Sequence, residues 1–314
     1  MTRFVWAASV LAALSLAACG SKTPTKVVGA QPDKSAPTGA ASAEQVAKEM
    51  RGNVSCPAKA STPRPANAPV DDVTGVRPGM PLDEAANFVM CDNPLMVVTE
   101  NTSRGYNVNT FGQHIRQGFD GQFAQPRVVK TSQQILDDMQ KEAMQRGANT
   151  YVAPLQPGQS RYYVSTMGLP GQEQVLSVAR EEYYATAKLP TVDSVKQALV
   201  AKYGEPSQAN DNYLWWEYDP SGAKLAQGSG NCQINVSPDA GASLSTACGV
   251  TVGALIQPSS DNPGLAHSLA VNAQNGAMGM AVLKNTEDAL QKVDDARKAK
   301  QLNDATQNSD KPKL

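Results

Sequence analysis

The sequence predicts an α+β fold made of small antiparallel sheets with helices packed on one face. Three observations carry this. Apolar residues recur at helical spacing behind helix-start signals around Leu82–Val89 and Val192–Leu199. Runs rich in Val and Tyr, interrupted by Gly- and Pro-containing turns, have the composition of hairpin strands. This order, a short helix and then strands, occurs twice, so two units are expected, over 71–147 and 148–284.

The first element is not part of either unit. Met1 to Arg3 form a short basic start, and Phe4 to Ala18 follow as a largely apolar run. The run is shorter than the roughly 20 residues that cross a bilayer. It ends in Leu16-Ala17-Ala18-Cys19-Gly20, which resembles the lipobox of bacterial lipoproteins. That resemblance implies a signal peptide over 1–18 and a mature chain that begins at an acylated Cys19, with palmitate among its chains. Two buried acyl chains already give stable attachment. Gly20 stands where an Asp marks inner-membrane retention in many Gram-negative lipoproteins, so the resemblance implies an outer-membrane anchor facing the periplasm.

Export places Cys56, Cys91, Cys232 and Cys248 in an oxidising compartment. Four cysteines allow three pairings; Cys56–Cys91 with Cys232–Cys248 gives the shorter closures and is favoured. None of the four has another Cys or a His within four residues, which argues against zinc.

Residues 19–70 carry many Pro, Ala, Ser, Thr and Lys and form an expected flexible tether. A short helix over Ser42–Met50, capped by Ser42, interrupts it. The body then begins near Asp71. Pro81 suits a first helical position ahead of Leu82, Ala85, Ala86 and Val89 on one face. Leu95–Thr99, Tyr106–Arg116 and Phe119–Val129 have strand composition, and a helix over Ser132–Arg146 is stopped by Gly147.

The second unit opens with a hairpin, Arg161–Met167 and Glu173–Tyr184, around Gly168-Leu169-Pro170-Gly171. Thr191 caps a helix with Val192, Val195, Ala198 and Leu199 on one face, closing at Tyr203-Gly204-Glu205-Pro206. Strands are expected at Tyr213–Asp219, Cys232–Val236 and Cys248–Ile256. The remainder, 285–314, reads as a polar helix over Asn285–Leu302 and a disordered tail of twelve residues.

Gly75-Val76-(x2)-Gly79-Met80-(x2)-Asp83-Glu84-Ala85, and Val192–Pro206 followed by Trp216-Glu217-Tyr218 and Pro220-Ser221-Gly222, resemble the SmpA/OmlA (BamE-like) outer-membrane lipoprotein domains. The resemblance covers roughly a third of the chain. It implies helices on one face of a three-stranded antiparallel sheet, a fold shared with β-lactamase-inhibitor-like binding modules, and a non-enzymatic scaffold role. Pro81 departs from the small polar residue usual after the Met, and the first stretch lacks its own Trp-x-Tyr.

Composition narrows function further. With 28 Lys+Arg against 29 Asp+Glu there is no broad charge for nucleic acid, and the only histidines, His114 and His267, lie far apart. No Gly-x-Ser-x-Gly, Gly-x-Gly-x-x-Gly, phosphate loop or His-Glu-x-x-His is present, so no catalytic residue, metal or cofactor is assigned. Glu181-Glu182 and Asp294-Asp295 are expected as surface charge. Strand alternation puts Trp216 with Leu214 and Tyr218, a core face, and Trp215 with Tyr213 and Glu217. Trp215 and Tyr213 are therefore the candidate partner contact.

The expected function is a protein–protein interaction or scaffold module, membrane-anchored, whose partner is another envelope protein. The alternative is a lipoprotein that binds a small molecule or cell-wall fragment, and a weaker one is an envelope hydrolase. A concave pocket with convergent polar groups favours the small molecule, and an exposed apolar or aromatic patch favours the protein partner.

Overall fold

In a computed structural model, residues 39–56, 59–101, 106, 108–145, 155–226, 232, 234–236 and 243–308 are described. Cys19 and the signal segment lie outside them. In chain order the elements are α1 (Ala43–Arg51), α2 (Leu82–Asp92), β1 (Met96–Glu100), β2 (Gly118–Phe123), α3 (Ser132–Gln145), β3 (Ser160–Met167), β4 (Gln174–Tyr183), a 3-10 turn (Thr186–Lys188), α4 (Val192–Tyr203), β5 (Gln208–Ala209), β6 (Tyr213–Glu217), β7 (Val250–Pro258), β8 (Ala266–Asn275) and α5 (Gly276–Asn308).

The fold is α+β, and its strands form one eight-stranded antiparallel sheet in the order β1-β2-β3-β4-β8-β7-β6-β5. Each half is a helix followed by a four-strand meander: α2 precedes β1–β4, and α4 precedes β5–β8. The last strands of the halves pair, from Ser177 opposite Gln274 to Tyr183 opposite Ser268, and this joins them into a single sheet.

The alternation of β-strand side chains sorts the sheet into two faces. Met96, Val98, Phe119, Tyr162, Val164, Val178, Val271, Val252, Ala254 and Trp216 lie in one core with Leu82, Ala86 and Val89 of α2 and Val195, Leu199 and Tyr203 of α4. The opposite face is covered in patches. Val46 and Ala47 of α1 pack on Val97 and Ala124, and Leu290 of α5 packs with Met167, Leu176 and Ile115.

Several expectations are corrected. Among the described residues, chain well before Asp71 is docked on the body: Ala41 pairs with Arg127, which also donates to the Gly39 carbonyl. Ser42 and Gln45 form a reciprocal capping box for α1, and Arg51 donates to the carbonyls of Met90, Asn93 and Met96, so much of the expected tether is held on the body.

Tyr106–Arg116 is not a strand among its described residues. The Asn109 side chain accepts the Phe111 N–H, and Phe111 and Gly112 take left-handed backbone angles of φ 49° and 81°, which turn the chain. The next strand stops at Phe123, short of Val129. β8, which the sequence did not announce, is central, and α5 starts directly after it and runs to Asn308, through part of the expected tail.

The described part of Cys232–Val236 is no strand either. Cys232, Ile234 and Val236 are buried, but the segment lies over the sheet and does not extend it. Gly253 makes room for it: a Cβ there would sit 2.5 Å from Val236 Cγ1 and 2.6 Å from Ile234 Cγ2. The cysteines are joined as Cys56–Cys91 and Cys232–Cys248. No helix of the described residues is long and apolar enough to cross a membrane.

Candidate functional site

Trp216 is fully buried, with its indole N–H donating to the Gly204 carbonyl at 2.7 Å and its ring against Tyr203. Trp215, on the opposite face, is half-buried. Its ring stacks on Tyr213, with centroids 5.3 Å apart, and its N–H donates to the Ile234 carbonyl at 3.4 Å. The Cys232–Val236 segment therefore lies over the residue expected as an exposed anchor.

A concavity lies on the α2/α4 face, where the two halves of the sheet meet. A cavity of about 440 Å³ is bounded by α4 through Val195, Ala198 and Leu199, by Leu269 and Val271 of β8, and by Arg180, Tyr184 and Thr74. This lies within the range of roughly 300–1,000 Å³ typical of small-molecule pockets. α4 is placed here by its own sequence: the Thr191 hydroxyl caps it, accepting the Ser194 N–H, and Val195, Leu199 and Tyr203 bury its inner face.

Arg180 takes an inward register position, opposite Tyr162 on one side and Val271 on the other. Its Nε donates to Tyr162 Oη at 3.0 Å, and Nη1 donates to Glu182 at 2.6 Å. Nη2 lies 3.6 Å from Asp92 Oδ2, beyond hydrogen-bond distance. Burial works against the Arg180 charge, and Tyr162, Glu182 and Asp92 outweigh it, so the guanidinium is held firmly as a cation.

The hydroxyls beyond Arg180 continue the hydrogen-bonded chain. Thr74 Oγ1 and Tyr162 Oη lie 2.8 Å apart, and the Thr74 hydroxyl also lies 2.8 Å from the Val73 carbonyl. Arg180 in turn donates to Tyr162. Thr74 holds this end from a backbone angle of φ 48°, a left-handed conformation that β-branched residues rarely adopt.

At the other rim Lys202 donates to Asp72 Oδ2 at 2.8 Å, and the Tyr203 hydroxyl donates to the Asp72 carbonyl. Burial raises the Asp72 carboxyl, and Lys202, the Gly75 N–H and Arg64 more than reverse it. Burial pushes the Tyr184 phenol up to about 12, so it faces the cavity uncharged.

None of these residues was singled out from sequence as part of a site; there Val195, Ala198, Leu199 and Tyr203 read only as helix, and Glu182 as surface charge. The available signal was Arg180 itself, a charged residue two positions after Val178 on the inward side of a predicted strand. The carboxylate pairs split as adjacent strand residues must. Glu181 binds Arg161 and Glu182 binds Arg180. Asp294 corrects an expectation: it is buried, not solvated, and is held by Arg297 and Lys298. His114 lies exposed, 3.3 Å from Glu100, while His267 packs against the Tyr183 ring. Among the described residues no three His, Cys, Asp or Glu side chains are gathered in a metal-binding group.

A second surface feature is an apolar stretch. Val128, Val129, Ile135, Leu136 and Met139, on the approach to α3 and along it, are among the most exposed large apolar side chains described.

No protein-family model, curated protein or solved structure matches the chain.

Proposed function

We propose that the chain is a lipid-anchored protein of the outer membrane, facing the periplasm, that works by binding a small amphiphilic molecule and not by catalysis. The single observation that carries this is the cavity between α4 and the β4/β8 seam, whose largely apolar wall meets Arg180, Thr74 and Lys202. The lipobox ending at Cys19 supports the anchor, and the two disulfides are consistent with an oxidising compartment. A binding role is favoured over hydrolysis because the aliphatic hydroxyls at the cavity, those of Ser194 and Thr74, already donate to backbone carbonyls. Ser194 donates to the Thr191 carbonyl and Thr74 to the Val73 carbonyl, and no histidine lines the wall to activate either.

Native mass spectrometry of the acylated protein, isolated from envelopes, tests this reading together with the Ala198→Trp variant, which fills the cavity mouth from an exposed helix position. A bound mass present on the wild type and lost from the variant is expected. Equal ligand-free masses for both would contradict it.

The second reading, contact with another envelope protein, is favoured by Val128, Val129, Ile135, Leu136 and Met139. On that reading Leu136→Asp lowers the crosslinked yield without lowering the melting temperature. An unchanged yield would count against it.

A further inference from the structure

We infer that the cavity selects an uncharged amphiphile, an acyl or similarly apolar body bearing a neutral hydrogen-bond acceptor such as an ester carbonyl, over an anionic amphiphile of the same length. The inference rests on the binding reading above and adds the chemical class of the ligand.

The body of the ligand is set by Val195, Leu199, Leu269, Val271 and Pro190, which offer no hydrogen bonds from their side chains. Its head is set by Arg180. Two of the guanidinium's five N–H groups are used in hydrogen bonds, to Tyr162 and Glu182, while Nη2 faces Asp92 only at ion-pair distance, 3.6 Å, and makes no hydrogen bond among the described residues. A half-buried N–H that has a charge partner but no hydrogen bond, beside an apolar cavity, can take an acceptor that the ligand brings. Tyr162 and Thr74 hold the guanidinium plane in place, so the donor is presented ready-made.

The charge balance decides between a neutral and an anionic acceptor. Arg180 and Lys202 are the cations of the wall, and Glu182, Asp92 and Asp72 stand against them, with Arg64 a more distant positive charge on Asp72. The cations are thus already neutralised. An entering carboxylate would give up its hydration and meet no excess positive charge, which is the costly case for a buried ion. A neutral carbonyl carries a much smaller desolvation cost and still accepts that N–H.

The test is calorimetric titration of the acylated protein in detergent-free nanodiscs with monodecanoylglycerol and with decanoate at pH 8, each below its micelle concentration. The neutral ester is expected to bind about tenfold or more tightly than the anion. Arg180→Lys keeps the charge facing Glu182 and Asp92 but removes the planar fork, and is expected to weaken the ester about 3- to 10-fold, the worth of one hydrogen bond. Ala198→Trp is expected to abolish binding of both. Decanoate binding as tightly as the ester, with Ala198→Trp still blocking it, would overturn the ligand class and leave the cavity standing. Binding of neither probe, or binding untouched by Ala198→Trp, would overturn the cavity reading itself.

Discussion

The indole N–H of Trp216 donates to the carbonyl of Gly204 at 2.7 Å, so the end of α4 is tied to the sheet by a residue of β6. This bond and the Tyr203–Trp216 ring contact fix one wall of the cavity, because Tyr203 and Leu199 line it from the same helix. Trp216→Ala is expected to cost about 3–5 kcal/mol, as for a fully buried aromatic. Trp215→Ala loses one stacked ring and one long hydrogen bond and is expected to cost about 1–2 kcal/mol. Thermal or urea unfolding of the two variants checks this; equal losses would show that Trp215 is as much a core residue as Trp216.

Thr74→Gly separates fold from site. The substitution relieves a left-handed β-branched backbone, worth about 1–2 kcal/mol, while it deletes the hydroxyl that holds Tyr162, worth about 1 kcal/mol. The melting temperature is expected to stay within a few degrees of wild type while affinity for the neutral ester falls. Unchanged affinity would show that the Thr74–Tyr162–Arg180 chain does not position the guanidinium.

The two disulfides differ in access. Cys56 is exposed, whereas Cys232 and Cys248 are buried, so mild reductant is expected to open Cys56–Cys91 first. The chain-entropy model gives about 3 kcal/mol for a closure the size of Cys232–Cys248. Timed alkylation with peptide mapping reads the order, and labelling of Cys232 before Cys56 would contradict it.

Acid should loosen the join between α2 and β4. Arg116 donates to both Glu173 oxygens and to Asp83, and so bridges the start of the helix to the start of the strand. Burial raises the Glu173 carboxyl, and the hydrogen bond from Arg116 more than reverses this, leaving it below its ordinary value of 4.5. A carboxylate lowered in the folded state contributes stability that is full above pH 4.5 and is lost as pH falls through the lowered value. Wild type is expected to lose stability steeply below that pH, and Glu173→Gln to start lower and fall less. Parallel pH profiles for the two would contradict the assignment.

Much of this was legible because local and tertiary preferences agree. α4 carries its cap, its apolar face and its closing glycine in sequence, and Trp216 follows from simple alternation. β8 was hidden because half of it is Ala and Asn, residues poor in strand propensity, and it becomes a strand through pairing with β4 and β7.

The start of α5 was hidden by Gly276 and Gly279, which disfavour helix. Both glycines answer a packing demand: a Cβ at Gly276 would lie 2.6 Å from the Ser245 carbonyl oxygen, and one at Gly279 would lie 2.7 Å from Leu244. The Cys232–Val236 run shows the converse, an alternating pattern that signals burial without pairing. The cavity could not be seen from sequence at all, since its wall joins Thr74, Arg180, α4 and Val271, which meet only once β4 and β8 have paired.

Methyl-resolved nuclear magnetic resonance, with monodecanoylglycerol titrated into the folded protein, tests the binding account most directly. Saturable shifts are expected for Val195, Leu199, Leu269 and Val271, with Val128, Val129, Ile135 and Leu136 unmoved. Unmoved cavity methyls, or shifts confined to the α3 stretch, would contradict it and transfer the functional surface to the exposed apolar segment.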